Sequence, residues 1–164
     1  MKDPRWIKGM KAEVDALRKY ALELIAELEL AGAKHAITPL EQNIRLTTVE
    51  YDEHCNLDDD PTLTDMRGYH RLVGKLLYLT LTRPDIAYTM QTLSQFMQAP
   101  KQSLLEAAYR VVRYVKNETG LGILMSVAGN MTLNAYCDAD WASCPNSRKS
   151  VTGYLVKFGG SLIS

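Results

Sequence analysis

From Leu133 to Asp140 the side chains alternate strictly. Leu133, Ala135, Cys137 and Ala139 fall on one face of an extended chain, and Asn134, Tyr136, Asp138 and Asp140 on the other. Such a run fits a half-buried strand, so this end of the chain must build a sheet. The alternation also brings Asp138 and Asp140 together on one side at the strand's end. Like charges that close are unfavourable unless water or a cation separates them. The stretch from Trp141 to Ser147 carries turn chemistry, with Pro145 and Asn146 at its centre. A second β-rich segment, Val151 to Val156, then returns antiparallel to the first. Upstream, Leu121 to Val127 reads as another strand, turned by Gly129-Asn130 into Met131.

The rest of the chain has helical periodicity. Asp3 and Pro4 supply a cap and a first helical residue, and Ile7, Met10, Val14, Leu17, Ala21, Leu24 and Leu28 follow in steps of three and four. This predicts one long amphipathic helix over residues 1–32, stopped at Gly32, whose spacing also fits a coiled-coil seam. Residues 33–64, with Pro39 and Pro61, predict an extended connector, and Asp58-Asp59-Asp60 a solvated acidic loop. Three helices are expected over 65–118. The first is capped by Thr64 or Asp65 and buries Tyr69, Leu72, Val73, Leu76, Leu77 and Thr80; Arg83-Pro84-Asp85 ends it. The second buries Ile86, Met90, Leu93 and Met97, and the third buries Leu105, Ala108, Val112 and Val115, with Ser103 and Glu106 as a capping box. Residues 119–164 hold the sheet, so the expected class is α+β.

Composition narrows the function. The 19 basic and 19 acidic residues cancel, so any nucleic-acid contact must come from local patches. No apolar run is long enough to span a bilayer and the N-terminus lacks a secretory core, so an intracellular chain with no membrane partner is expected. Cys55, Cys137 and Cys144 form no paired ligand spacing even with His54, and read as buried or free thiols. His35, His54 and His70 have no recognisable triad partners.

Several motifs carry a resemblance. Tyr136-Cys137-Asp138-Ala139-Asp140-Trp141-Ala142, followed by Arg148-Lys149-Ser150-Val151-Thr152-Gly153-Tyr154, resembles the opening of RNase H in copia-type retrotransposon Pol polyproteins. The run Tyr69 to Leu79, Thr82 to Ile86, and Ala107 to Tyr114 resemble the region that links polymerase to RNase H in that family. Asp3 to Ile7 with Met10, Glu13 and Leu17 resembles the start of its reverse transcriptase domain. Tyr20 onward, through Ala31 to Lys34 and Thr38 to Leu40, is similar to a segment near that domain's end. The resemblance thus implies an internal deletion of fingers and palm, joined near Arg18-Lys19, and a truncated RNase H-like sheet.

It further implies that Asp138 is the first metal-binding carboxylate of a two-magnesium nuclease site. Such a site needs several carboxylates to clamp the attacking water and the leaving oxygen. The family's other acids lie further along than Ser164, so Asp138 is expected to be one wall of a site, with Asp140 a loop acid. The chain is expected to lack polymerase and nuclease activity on its own. Two other readings follow from the residues. Arg110, Arg113 and Lys116, at i, i+3 and i+6, together with Arg148 and Lys149, form a candidate basic surface for an RNA–DNA hybrid or other nucleic acid. Self-association through the first helix or an open sheet edge is the other.

Overall fold

The computed structural model describes residues 4–57, 60–123, 132–141 and 148–162, without the side chains of 4–7, 10, 13, 140 and 151. Helix α1 spans Pro4–Glu27, α2 Val49–Cys55, α3 Met66–Leu79, α4 Ala87–Ser94 and α5 Gln102–Asn117. Strands β1 (Leu133–Asp140), β2 (Val151–Phe158) and β3 (Ser161–Leu162) form one antiparallel sheet in that order. The class is α+β, as expected. Among the described residues no helix is long and apolar enough to cross a membrane.

The helices α1, α3, α4 and α5 share one core. Leu72, Val73 and Leu76 of α3, Met90 and Leu93 of α4, and Val111, Val112 and Val115 of α5 are buried in it. Their spacing puts each set on one stripe of its helix, which is why these segments are helical and why they pack. Asp65 caps α3, accepting from the Gly68 N–H at 3.0 Å. The Tyr69 hydroxyl is buried and donates to Leu93 O at 2.9 Å, tying α3 to the end of α4. Burial pushes that phenol far above its ordinary pKa, so it remains a donor. Leu77 breaks the expected stripe and is exposed, while Leu79 is buried in its place.

Among the described side chains of α1, those buried in this core lie in its second half. Ala21, Leu24 and Ile25 are buried, whereas Val14, in the same apolar seam, is 48% exposed. The helix also ends earlier than Gly32. Glu29 takes a left-handed backbone with φ 56°, and a 3-10 turn follows over Leu30–Gly32. The Glu29 N–H donates to Ala26 O at 3.0 Å, a tightened last turn that the sequence does not signal with a glycine.

The connector is not simply extended. Thr48 caps α2 through its hydroxyl, which accepts from the Tyr51 N–H at 3.3 Å. Asp52 of α2 is buried and forms an ion pair with the ammonium of Lys101, which is 2% exposed. The Thr47 hydroxyl donates to Asp52 Oδ1 at 2.6 Å and accepts from Lys101 Nζ at 3.0 Å. Asp60 completes the cluster, 3.0 Å from the same ammonium. Its other contacts replace the expected capping box. The Ser103 N–H donates to Asp60 Oδ1 at 3.0 Å and the Ser103 hydroxyl to Asp60 Oδ2 at 2.6 Å. Thus an acid from the connector caps α5, and Asp60 is not part of a solvated loop. Asp58 and Asp59 lie outside the described residues. Glu106 accepts instead from Gln102, at 3.3 Å.

The sheet matches the alternation but not the burial. Leu133, Ala135, Cys137 and Ala139 stand opposite Phe158, Val156, Tyr154 and Thr152, an apolar face built from both strands. Leu133 is nonetheless 66% exposed and Tyr154 70% exposed, so no described element covers that face. The expected strand from Leu121 to Val127 and its turn at Gly129-Asn130 fall mostly outside the described residues; Leu121 to Ile123 are irregular.

The Lys101 cluster generates a prediction. Burial raises the Asp60 carboxyl, but bonds from Ser103 and the Lys101 ammonium outweigh it and hold the group below its ordinary value. A carboxyl depressed by folding contributes stability that is complete above its unfolded pKa of about 3.9 and is lost as pH falls through the lower folded value. Lys101→Met should cost about 3–5 kcal/mol in urea unfolding at pH 7, because Asp52 and Asp60 are left facing each other without a cation. The penalty should shrink as pH falls below about 4, where Asp60, freed of its cation, takes up a proton.

Candidate functional site

Asp138 lies near the C-terminal end of β1, directly opposite Gly153 of β2. A glycine there leaves the space beside the carboxylate open, since a Cβ at Gly153 would meet nothing within 4 Å. The Asp138 side chain is exposed, and its Oδ1 accepts from the Ala139 N–H at 2.9 Å. The register puts Asp140 two positions further along the same face, opposite Val151, with its side chain outside the described residues. A divalent ion needs several oxygen ligands converging from different directions. Among the described residues no group of three or more His, Cys, Asp or Glu is placed to hold one. Cys55 and Cys137 are exposed free thiols, and Cys144 lies outside the described residues.

The basic candidates divide into two groups. Arg110 Nε donates to Thr38 O at 3.2 Å, its Nη2 to Thr38 Oγ1 at 3.1 Å, and its Nη1 to Glu41 Oε1 at 2.9 Å. Lys116 donates to the carbonyls of Leu30, Ala31 and Ala33, the Leu30 bond being 3.2 Å and the Ala33 bond 2.8 Å. These two cations thus hold the connector and the 3-10 turn after α1 against α5. Arg113 is half-buried; its carbonyl accepts from the Ala36 N–H at 3.4 Å, and its Nε is buried without a hydrogen-bond partner among the described residues. The i, i+3, i+6 stripe is therefore covered by the chain's own connector. Arg148 and Lys149 lie elsewhere, exposed just before β2, with Arg148 at φ 55°.

A further cation went unrecognised in the sequence. Arg83 is buried at the corner between α3 and α4. It donates from Nε to Asp85 Oδ1 at 2.9 Å, from Nη2 to Asp85 Oδ2 at 2.7 Å, and from Nη1 to Glu118 O at 2.8 Å, with its guanidinium 5.5 Å from the centre of the Tyr114 ring. Burial raises the Asp85 carboxyl, but the Arg83 guanidinium outweighs it and holds the group below the usual range. Arg-x-Asp beside a proline was legible as a helix breaker, and the paired charges two apart were the available hint of an internal fork.

Comparison with known proteins decides the family. The chain is 37% identical over 147 residues, 90% of its length, to the retrovirus-related Pol polyprotein from transposon RE1 of Arabidopsis thaliana. It is 35% identical over 153 residues to the corresponding polyprotein from transposon TNT 1-94 of Nicotiana tabacum. The chain belongs to the copia-type retrotransposon Pol family. It spans only 9% of the RE1 polyprotein and 11% of the TNT 1-94 one. An uncharacterized mitochondrial protein of Arabidopsis thaliana is 45% identical over 78 residues, covering 70% of that protein and 48% of this chain. No family model matches, and no solved structure matches.

In this Pol segment, the internal role of Lys116 has a measurable consequence. Lys116→Gln should lower stability by about 2 kcal/mol in urea unfolding, because three carbonyls lose a charged donor. The same change should leave the salt dependence of any binding to an RNA–DNA hybrid unaltered, whereas a phosphate contact would reduce the slope by about one.

Proposed function

We propose that this chain is the part of a copia-type Pol polyprotein where the reverse transcriptase ends and an RNase H-like domain opens, and that it has neither polymerase nor nuclease activity on its own. In this reading residues 65–118 are the helical connection and the β1–β2 hairpin supplies the first strands of the nuclease sheet. Residues 1–32 join two parts of the polymerase across a deletion of its fingers and palm. Asp138 is then the first carboxylate of a magnesium site whose other ligands come from elsewhere in the polyprotein.

The observation that carries the reading is Asp138 itself: an exposed carboxylate near the end of β1, opposite a glycine, in a chain matched along 90% of its length by a Pol polyprotein. When two magnesium ions are bound, such a site activates water and stabilises the leaving oxygen. What this chain contributes is one acid near the end of β1. A nucleic-acid surface draws less support, because Arg110 and Lys116 are engaged internally, and it falls back on Arg148 and Lys149. Self-association through α1 is supported by the exposed Val14 in a seam that continues past the core.

Cleavage of a labelled RNA–DNA hybrid with magnesium should be undetectable for this chain and unchanged by Asp138→Asn. A version extended through further Pol sequence should cleave, and should lose cleavage on the same substitution. If the 164-residue chain already cleaves and Asp138→Asn abolishes it, the reading is wrong. Primer extension should likewise yield no template-dependent product.

A further inference from the structure

The three cations along one side of α5 are not equally provided for. Residues 30–41 run across them as a strap. Lys116 donates to the carbonyls of Leu30, Ala31 and Ala33 at its start, and Arg110 to Thr38 and Glu41 at its end. Arg113, three residues from each, lies on the same side of the helix between these two fastenings. There, among the described residues, the strap is joined to α5 by one long backbone bond, from the Ala36 N–H to the Arg113 carbonyl at 3.4 Å. Ala36 is buried, but its neighbour Ile37 is 91% exposed, so the middle of the strap adds little apolar packing.

The Arg113 Nε is buried without a hydrogen-bond partner, the one such side-chain atom among the described residues. The matching nitrogen of Arg110 reaches Thr38 O at 3.2 Å. A buried donor left unpaired is destabilising, and folded proteins keep few of them. The charges around it call for an anion. Residues 30–41 carry one acid, Glu41, which Arg110 already holds, and they add a cation of their own, Lys34. Four cations thus meet one carboxylate along the strap.

We propose that residues 34–37 are a lid that lifts to admit one small oxyanion of the phosphate class, which pairs with the Arg113 guanidinium. Nε and a terminal nitrogen of a guanidinium present two parallel donors that fit such an anion. With the lid down, the buried Nε leaves no room beside it. With the lid raised, the donor gains an acceptor and the surplus positive charge is offset. The fastenings at Arg110 and Lys116 stay closed, so the opening is an arch over one side chain. A nucleic acid would have to break a fastening to follow its backbone in, which favours a free anion. Neither Asp138 nor the polyprotein reading bears on this lid.

Nitrogen-15 NMR of the full chain, following the Arg113 Nε–H signal and hydrogen exchange at the Ala36 amide, tests it. Sodium phosphate at about 10 mM should move the Nε–H signal and speed Ala36 exchange about tenfold or more, leaving the Val112 amide in the core unchanged. Sodium chloride at equal ionic strength should do neither. Arg113→Met should abolish the phosphate response. Without phosphate it should slow Ala36 exchange about tenfold, because the lid then covers no unpaired donor. Should that variant not fold, Arg113→Lys, which keeps the charge and loses the fork, should weaken the response at Ala36 about tenfold. Four results would each overturn the lid: an Nε–H signal unmoved by phosphate, the same effect from chloride, faster Ala36 exchange in Arg113→Met, or an equal response to oligothymidylate at the same phosphate concentration.

Discussion

The buried ammonium of Lys101 is the interaction on which the helical body depends. It sits at the entrance to α5 and gathers Asp52 from α2, Asp60 from the connector, and the Thr47 hydroxyl. Two carboxylates and one ammonium leave a net negative charge in a largely dry place, which would be costly without further donors. Ser103 supplies them through its N–H and hydroxyl, and those two bonds also satisfy the first turn of α5. Without this cluster, residues 47–60 would have little to hold them against the helices. Nearby backbone pairing reinforces it: the Leu63 N–H donates to Pro100 O at 2.8 Å and the Gln102 N–H to Pro61 O at 3.0 Å.

The same economy governs the other cations of α5 and the α3–α4 corner. Arg110 and Lys116 satisfy carbonyls along a segment that has little regular structure, and Arg83 satisfies the end of α5. Cations suit that end of a helix, where the last carbonyls are unpaired and the dipole is negative. A chain of zero formal charge has therefore placed several of its positive groups in structural work. The Tyr109-Arg110-Val111-Val112-Arg113-Tyr114 stretch that resembles copia-type Pol is held in place by packing and by the internal bonds of Arg110.

Periodicity made the helical core and the hairpin legible. Tyr69, Leu72, Val73 and Leu76 follow from an apolar stripe, and the pairing of β1 with β2 follows from alternation on both sides of a turn-rich segment. What stayed hidden were long-range polar contacts. Asp60 looks solvated because three acids in a row usually are, and nothing local reveals that Ser103 and Lys101, about forty residues on, will meet it. Helix α2 was missed because seven residues carry too short a stripe to register against Pro39 and Pro61. The end of α1 was misplaced because Glu29, a poor candidate for a left-handed position, occupies it. At the candidate site, the place of Asp138 at a strand end was readable, but which groups surround it is a matter of tertiary arrangement that no local pattern encodes.

The uncovered sheet divides the molecule energetically. The helices share a dry core, so opening any one of them disrupts the rest. The hairpin relies on its ladder and on cross-strand pairs such as Leu133 with Phe158 and Cys137 with Tyr154, each worth only about 0.2–1 kcal/mol. Two strands without a packed face are marginal in water. The two parts should thus behave as separate cooperative units with unequal opening free energies, the hairpin opening first while the helical body stays closed. For Asp138 this means that the carboxylate's position is only as fixed as the least stable unit of the chain.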